Sequence, residues 1–143
     1  MDRRTRRELL AQLSSDASRI ATHFELRYRS IDAERASVKS RYGICYDDGS
    51  IRIRLNHSRT GEPLRYSSLV NTLCHELAHL RHFDHGPRFK TFYLRLLEWS
   101  RQQGIYVPGA SGSPREPVRT LRASTPTRET RTPTGPQQLD LFG

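Results

Sequence analysis

Cysteine is scarce: Cys45 and Cys74 are the only two in 143 residues. Two distant cysteines make neither a disulfide framework nor a cysteine-based zinc site. Long apolar runs are absent too, so no stretch reads as a membrane span. The start, Met1-Asp2-Arg3-Arg4-Thr5-Arg6-Arg7, is basic but lacks the apolar region of a secretion signal. The expected location is the cytoplasm, without membrane partners. Lysine is nearly missing, since 22 of the 24 positive residues are Arg. Acidic residues number 15, which leaves a net charge of +9. The length allows one small domain with tails.

Arginine offers phosphate a planar, two-pronged contact that lysine cannot match. An Arg-rich surface therefore favours nucleic acid through counterion release, without regard to base sequence. The candidate contacts are Arg3, Arg4, Arg6 and Arg7 at the start of the N-terminal helix. The expectation is a nucleoid-associated protein. A solvated charge coat, or the base content of a genome, would also leave such a composition.

The chemistry is concentrated in residues 75–89, His-Glu-Leu-Ala-His-Leu-Arg-His-Phe-Asp-His-Gly-Pro-Arg-Phe. Its core is H-E-x-x-H. On a helix, His75 and His79 lie one turn apart on one face and can reach one metal ion. Glu76 sits beside them, within reach of a water on that ion. A catalytic zinc site takes three protein ligands and keeps one position open. His85 is the candidate third ligand, because Asp84-His85-Gly86-Pro87 lets the chain leave the helix and fold back. His82 is the rival. Seven residues of helix rise about 10.5 Å, too far for His75 and His82 to share one ion with bonds of about 2 Å. His82 reads as solvent-facing or as support for a ligand. The bland alternative for the motif is a polar helix with histidines in water.

Leu69, Val70, Leu73, Leu77, Ala78 and Leu80 give the same helix an apolar face. Phe89, Phe92, Tyr93, Leu96, Leu97 and Trp99 do so for a second helix opened by Gly86-Pro87, and read as core packing.

These residues resemble the SprT/Spartan, WLM and YgjP-like zinc metallopeptidases. His75-Glu76-Leu77-Ala78-His79 with His85-Gly86-Pro87-Arg88-Phe89 is similar to the active-site helix and following H-G-P-x-F of SprT-like proteins. The five-residue gap between His79 and His85 is closer to the WLM and YgjP-like pattern. Upstream, Ser40-Arg41-Tyr42-Gly43-Ile44-Cys45 and Ile51-Arg52-Ile53-Arg54-Leu55-Asn56 resemble the S-R-W-G-S-C and I-R-L-N strands of YgjP-like proteins. Tyr42 stands for Trp and Ile44 for Ser. The likeness covers roughly residues 38–103. The usual SprT zinc ribbon is missing.

The resemblance implies one zinc per chain on His75, His79 and His85, with Glu76 as catalytic acid/base. It implies a small α+β, zincin-like domain: an N-terminal helix, a β-hairpin or small sheet, the active-site helix and one more helix. A strand beside the active-site helix would pair with extended protein substrates through main-chain hydrogen bonds. SprT-like and WLM proteins include proteases for proteins trapped on DNA. Arg41, Arg88 and Tyr93 are positional candidates for the oxyanion partner.

Along the chain, residues 4–35 read as helix, with a stripe of Leu9, Leu10, Leu13, Ala17, Ile20, Ala21 and Phe24. Residues 38–56 read as a hairpin turning at Asp48-Gly49. Helices are expected over about 67–82 and 87–103. The division follows: 1–37 a basic helical region, 38–103 the peptidase core, 104–137 a linker, 138–142 a terminal peptide. Residues 108–136 hold six of the eight prolines, with many Ser and Thr, and read as a disordered tail.

Gln138-Leu139-Asp140-Leu141-Phe142 matches Q-L-(S/D)-L-F, the pattern with which bacterial proteins bind the replication sliding clamp. Gln138 would hydrogen-bond at a pocket rim, and Leu139, Leu141 and Phe142 would enter apolar pockets. Asp140 fills the variable position. The resulting reading is a bacterial zinc peptidase tethered to the clamp and drawn to DNA. Two others stand beside it: a regulatory peptidase cutting one repressor-like partner, and a non-enzymatic clamp- and DNA-binding adaptor.

Overall fold

Asp2 opens the first helix, α1 (Arg3–Phe24): its side chain accepts from the Thr5 N–H at 2.7 Å. That hydrogen bond also holds the Asp2 carboxyl below its usual range. The computed structural model describes residues 1–35 and 37–109. Most of the expected linker and the whole 138–142 peptide lie outside the described residues. Leu13, Ala17, Ile20 and Ala21 of the stripe are buried, and Leu9, Leu10 and Phe24 pack at its margins.

The helix expected over 4–35 stops at Phe24. Glu25 adopts a left-handed backbone at φ 57°, and the Leu26 N–H returns to Ala21 O at 2.8 Å. These features end the helix and satisfy its last carbonyls. The apolar stripe also breaks there. Residues Ser30–Ala33 instead form a strand, β1, with Ile31 turned into the core.

The expected hairpin is present as β2 (Gly43–Cys45) and β3 (Ser50–Ile53), paired antiparallel with Gly43 opposite Ile53. Its turn closes at Gly49, whose φ of 92° favours glycine. The strand missed in sequence pairs parallel with β3, Ile31 opposite Ile51, so the spatial order is β1-β3-β2. Ile31, Cys45, Ile51 and Ile53 face the helices; Asp32, Ile44 and Arg52 share the other side.

Helix α2 (Tyr66–His79) buries Leu69, Val70, Leu73, Cys74, Leu77 and Ala78. Each fully enclosed leucine contributes about 1.5–3 kcal/mol. The helix ends three residues before the expected 82. The Leu80 and Arg81 N–H groups bond to Leu77 and Ala78 three residues back, and this tightening turns the chain out. Helix α3 (Pro87–Gln102) begins with Gly86 as cap and Pro87 in the first turn. The Tyr66 hydroxyl donates to Asp16 Oδ2 at 2.6 Å, tying α2 to α1.

Helix α1 shares one core with the sheet, α2 and α3. Ile105, assigned to the linker, is 5% exposed in that same core, and the compact unit runs Met1–Pro108. Among the described residues no helix is long and apolar enough to cross a membrane.

Candidate metal centre

Helix periodicity puts His75 and His79 on one face of α2, and the early end of α2 brings His85 back to them. One ring nitrogen from each of His75, His79 and His85 lies within 4.8 Å of the others. His79 Nε2 and His85 Nε2 are 3.0 Å apart. A tetrahedral ion with bonds of about 2.0–2.1 Å separates two of its ligand atoms by about 3.3 Å. The donor set therefore fits a first-row metal ion, and three imidazoles leave a fourth position for water or substrate.

The ligands are prepared for this role. The His79 Nδ1–H points at His82 O, 3.1 Å away, which leaves Nε2 as the free donor. So His82 supports the site through its backbone carbonyl; its ring lies beside Phe92. Burial depresses the pKa of His79. Burial and then the neighbouring His75 depress that of His85. Both directions favour the neutral imidazole that binds metal.

Glu76 is 5% exposed and places Oε2 3.3 Å from His75 Nδ1. Its position depends on Gly43. A Cβ at residue 43 would stand 3.2 Å from Glu76 Cγ and 2.7 Å from Thr72 Cγ2. Only glycine lets β2 approach α2 this closely. That need is not visible from local sequence, because it arises between residues 33 positions apart.

Phe89 forms the floor. It is 2% exposed, and its ring centroid lies 4.9, 4.4 and 5.0 Å from those of His75, His79 and His85. The sequence marked Phe89 as core, which it is, but not as the side chain shared by all three histidines.

The three oxyanion candidates part company. Arg41 is committed to Glu34 through Nε at 3.1 Å and the terminal nitrogen at 3.0 Å. Arg88 is exposed and lines a cleft of about 720 Å³ with Phe83 and Asp84. Tyr93 is nearest: its ring lies 5.6 Å from His75, and its hydroxyl donates to Asn71 Oδ1. Of the proposed DNA contacts, Arg3 and Arg7 are exposed, Arg4 pairs with Glu8 at 3.1 Å, and Arg6 donates to Glu34 O at 3.1 Å.

A helix with two histidines a turn apart, an enclosed glutamate between them, a third histidine returning by a loop and a strand alongside define a zincin-like metallopeptidase domain. The chain belongs to the YgjP-like metallopeptidase family, which matches residues 1–103. Among solved structures it is similar to Wss1 from Saccharomyces cerevisiae, with TM-score 0.60 and 19% identity over 67% of this chain and 79% of that one. A Glu-to-Gln mutant of Wss1 from S. pombe is also similar, with TM-score 0.55 and 21% identity over 64% and 80% of the two chains. At these identities the likeness speaks for the fold. No curated protein matches the sequence.

Proposed function

We propose that this protein is a zinc peptidase that degrades proteins held on DNA, recruited to the bacterial sliding clamp by residues 138–142. The observation that carries the peptidase reading is the convergence of His75, His79 and His85 within 4.8 Å, beside an enclosed Glu76. Bound there, zinc would supply Lewis acidity to the scissile carbonyl and to a water. Glu76 takes the proton of the attacking water and returns it to the departing amine. His79 keeps its donor nitrogen inward through its hydrogen bond to His82 O. Strand β2 lies at the edge of the sheet and offers its free side to an extended substrate.

The DNA part rests on the net charge of +9 and the SprT-like resemblance. The clamp part rests on Gln138-Leu139-Asp140-Leu141-Phe142. A main-chain-reading site is tolerant of sequence, so its safety would come from location. Tethering raises the effective concentration of the enzyme near its substrates toward the millimolar range.

The test is a cleavage assay with zinc-loaded protein on one substrate, free and crosslinked to DNA. The parent should cut the crosslinked form faster. Glu76→Gln should keep zinc and lose about a hundredfold to ten-thousandfold of rate. Replacing Leu141 and Phe142 with Ala should abolish clamp binding in a calorimetric titration and leave zinc content unchanged. Equal cutting of both substrate forms would favour a regulatory peptidase; stoichiometric zinc without cleavage would favour an adaptor.

A further inference from the structure

We infer that the outer face of the sheet is a platform for single-stranded nucleic acid, with Tyr42 and Tyr46 stacking bases and neighbouring arginines meeting phosphates. It rests on the DNA reading above and adds where, and in what form, the nucleic acid binds.

The rings come first. Tyr42 is 58% exposed and Tyr46 37% exposed, on a face that no helix covers among the described residues. The Arg54 N–H bonds to Tyr42 O at 2.8 Å, which sets residues 42 and 54 opposite each other across β2 and β3. Each ring carries a cation. The Arg54 guanidinium carbon lies 5.2 Å from the Tyr42 centroid, and that of Arg52 lies 5.8 Å from Tyr46. Arg54 is 7% exposed and its Nε has no partner, so it is a fixed charge against Tyr42 and not a phosphate contact.

The phosphate contacts are organised by Glu34. Its side chain is wholly enclosed and pairs with Arg41 at 3.0 Å and Arg52 at 3.9 Å. Its carbonyl accepts from Arg6 at 3.1 Å. The carboxylate is enclosed while both guanidinium groups reach solvent, so Glu34 positions the two arginines and leaves them accessible. Three arginines gathered on one residue leave net positive charge, and Arg6 joins it to the basic start of α1. Acids near the face are Asp32, opposite Arg52 on β1, and Asp47 and Asp48 in the turn after Tyr46, of which Asp48 pairs with Arg29 at 3.6 Å.

Exposed tyrosines among arginines suit splayed bases, because every base has a face to stack and every phosphate a charge. A duplex keeps its bases stacked on one another and cannot use the rings. An acidic peptide would use the arginines alone. The platform is also close to the catalytic side: Gly43 lies beneath Glu76, and the adjoining Tyr42 turns outward.

The test is fluorescence anisotropy of a labelled oligothymidine of about 15 nucleotides with the full-length, zinc-loaded protein. Replacing Tyr42 and Tyr46 with Leu should weaken binding at least about tenfold with the salt slope unchanged. The Phe pair should keep parent affinity. Arg52→Gln should lower the salt slope by about one. Parent affinity in the Leu pair overturns the platform and leaves the DNA reading standing; no binding by the parent at low salt ends both. A polyglutamate peptide that displaces the oligomer equally well from parent and Leu pair, with oligomer affinity unchanged between them, assigns the face to acidic peptides and overturns the proposal. Photocrosslinking of a bromodeoxyuridine oligomer to the parent needs no variant to fold. Adducts on Tyr42 or Tyr46 are expected, and adducts only elsewhere overturn the platform.

Discussion

The ring of Phe89 lies nearly flat on His79, with centroids 4.4 Å apart and planes 22° apart. It meets His75 and His85 more steeply, at 74° and 86°. One side chain from α3 thus packs on candidate ligands from α2 and from the loop between them. Phe89→Leu keeps the apolar character but loses the flat face. Metal affinity should fall by about tenfold to a hundredfold, as for other supports of metal ligands. The stability cost should stay near about 1.5 kcal/mol. A chelator competition beside a denaturant titration separates the two effects.

His85 and His82 are separated by the same logic. His85→Ala should lose metal sharply. His82→Ala should keep it, because the group that meets His79 is the backbone carbonyl, which alanine retains. Elemental analysis of the two variants decides, and equal losses would defeat the ligand assignment.

Gly43→Ala would put a carbon 2.7 Å from Thr72 Cγ2 and 3.2 Å from Glu76 Cγ. The expected result is a destabilised protein that keeps metal and loses catalytic rate by about a hundredfold, the usual consequence of a catalytic group misplaced by about an ångström. Adding Thr72→Ser removes the tighter clash. Stability should recover more than rate, because the contact with Glu76 remains.

Alkaline stability should depend on Tyr66. Burial, and then the hydrogen bond to Asp16, raise its pKa above the ordinary value of 10.0. A raised folded-state value means that the unfolded chain releases the proton first. The contribution is therefore fully present below pH 10 and is lost as pH rises beyond it. In Tyr66→Phe the fall in unfolding free energy above that pH should be shallower. A denaturant series from neutral to strongly alkaline pH measures it, and an unchanged slope would exclude Tyr66 as a source.

The histidine cluster was legible because helical spacing is a local rule: His75 and His79 need only one turn, and Asp84-His85-Gly86-Pro87 announces the return. The β2–β3 hairpin was legible through Asp48-Gly49 and the alternation of Ile51, Ile53 and Leu55. Strand β1 was not. It is four residues long, and its partner lies twenty positions onward, so nothing within Ser30–Ala33 distinguishes a strand from the end of a helix. Ile105 was missed for a similar reason. The run Ile105-Tyr106-Val107 is too short for a period, so it says little until the surface that receives Ile105 is known.

The sheet order β1-β3-β2 also constrains how the chain is made. Among the described residues both outer strands bond only to β3, the last of the three to be synthesised. Until residues 50–53 leave the ribosome, Ser30–Ala33 has no strand to join. At about 5–20 residues per second, that wait lasts about one to four seconds. During it, the amphipathic α1 is already complete, and its apolar stripe must remain uncovered or be sheltered by a chaperone. Helix α2, with His75, Glu76 and His79, emerges only after the surface that will hold Glu76 in place has been made.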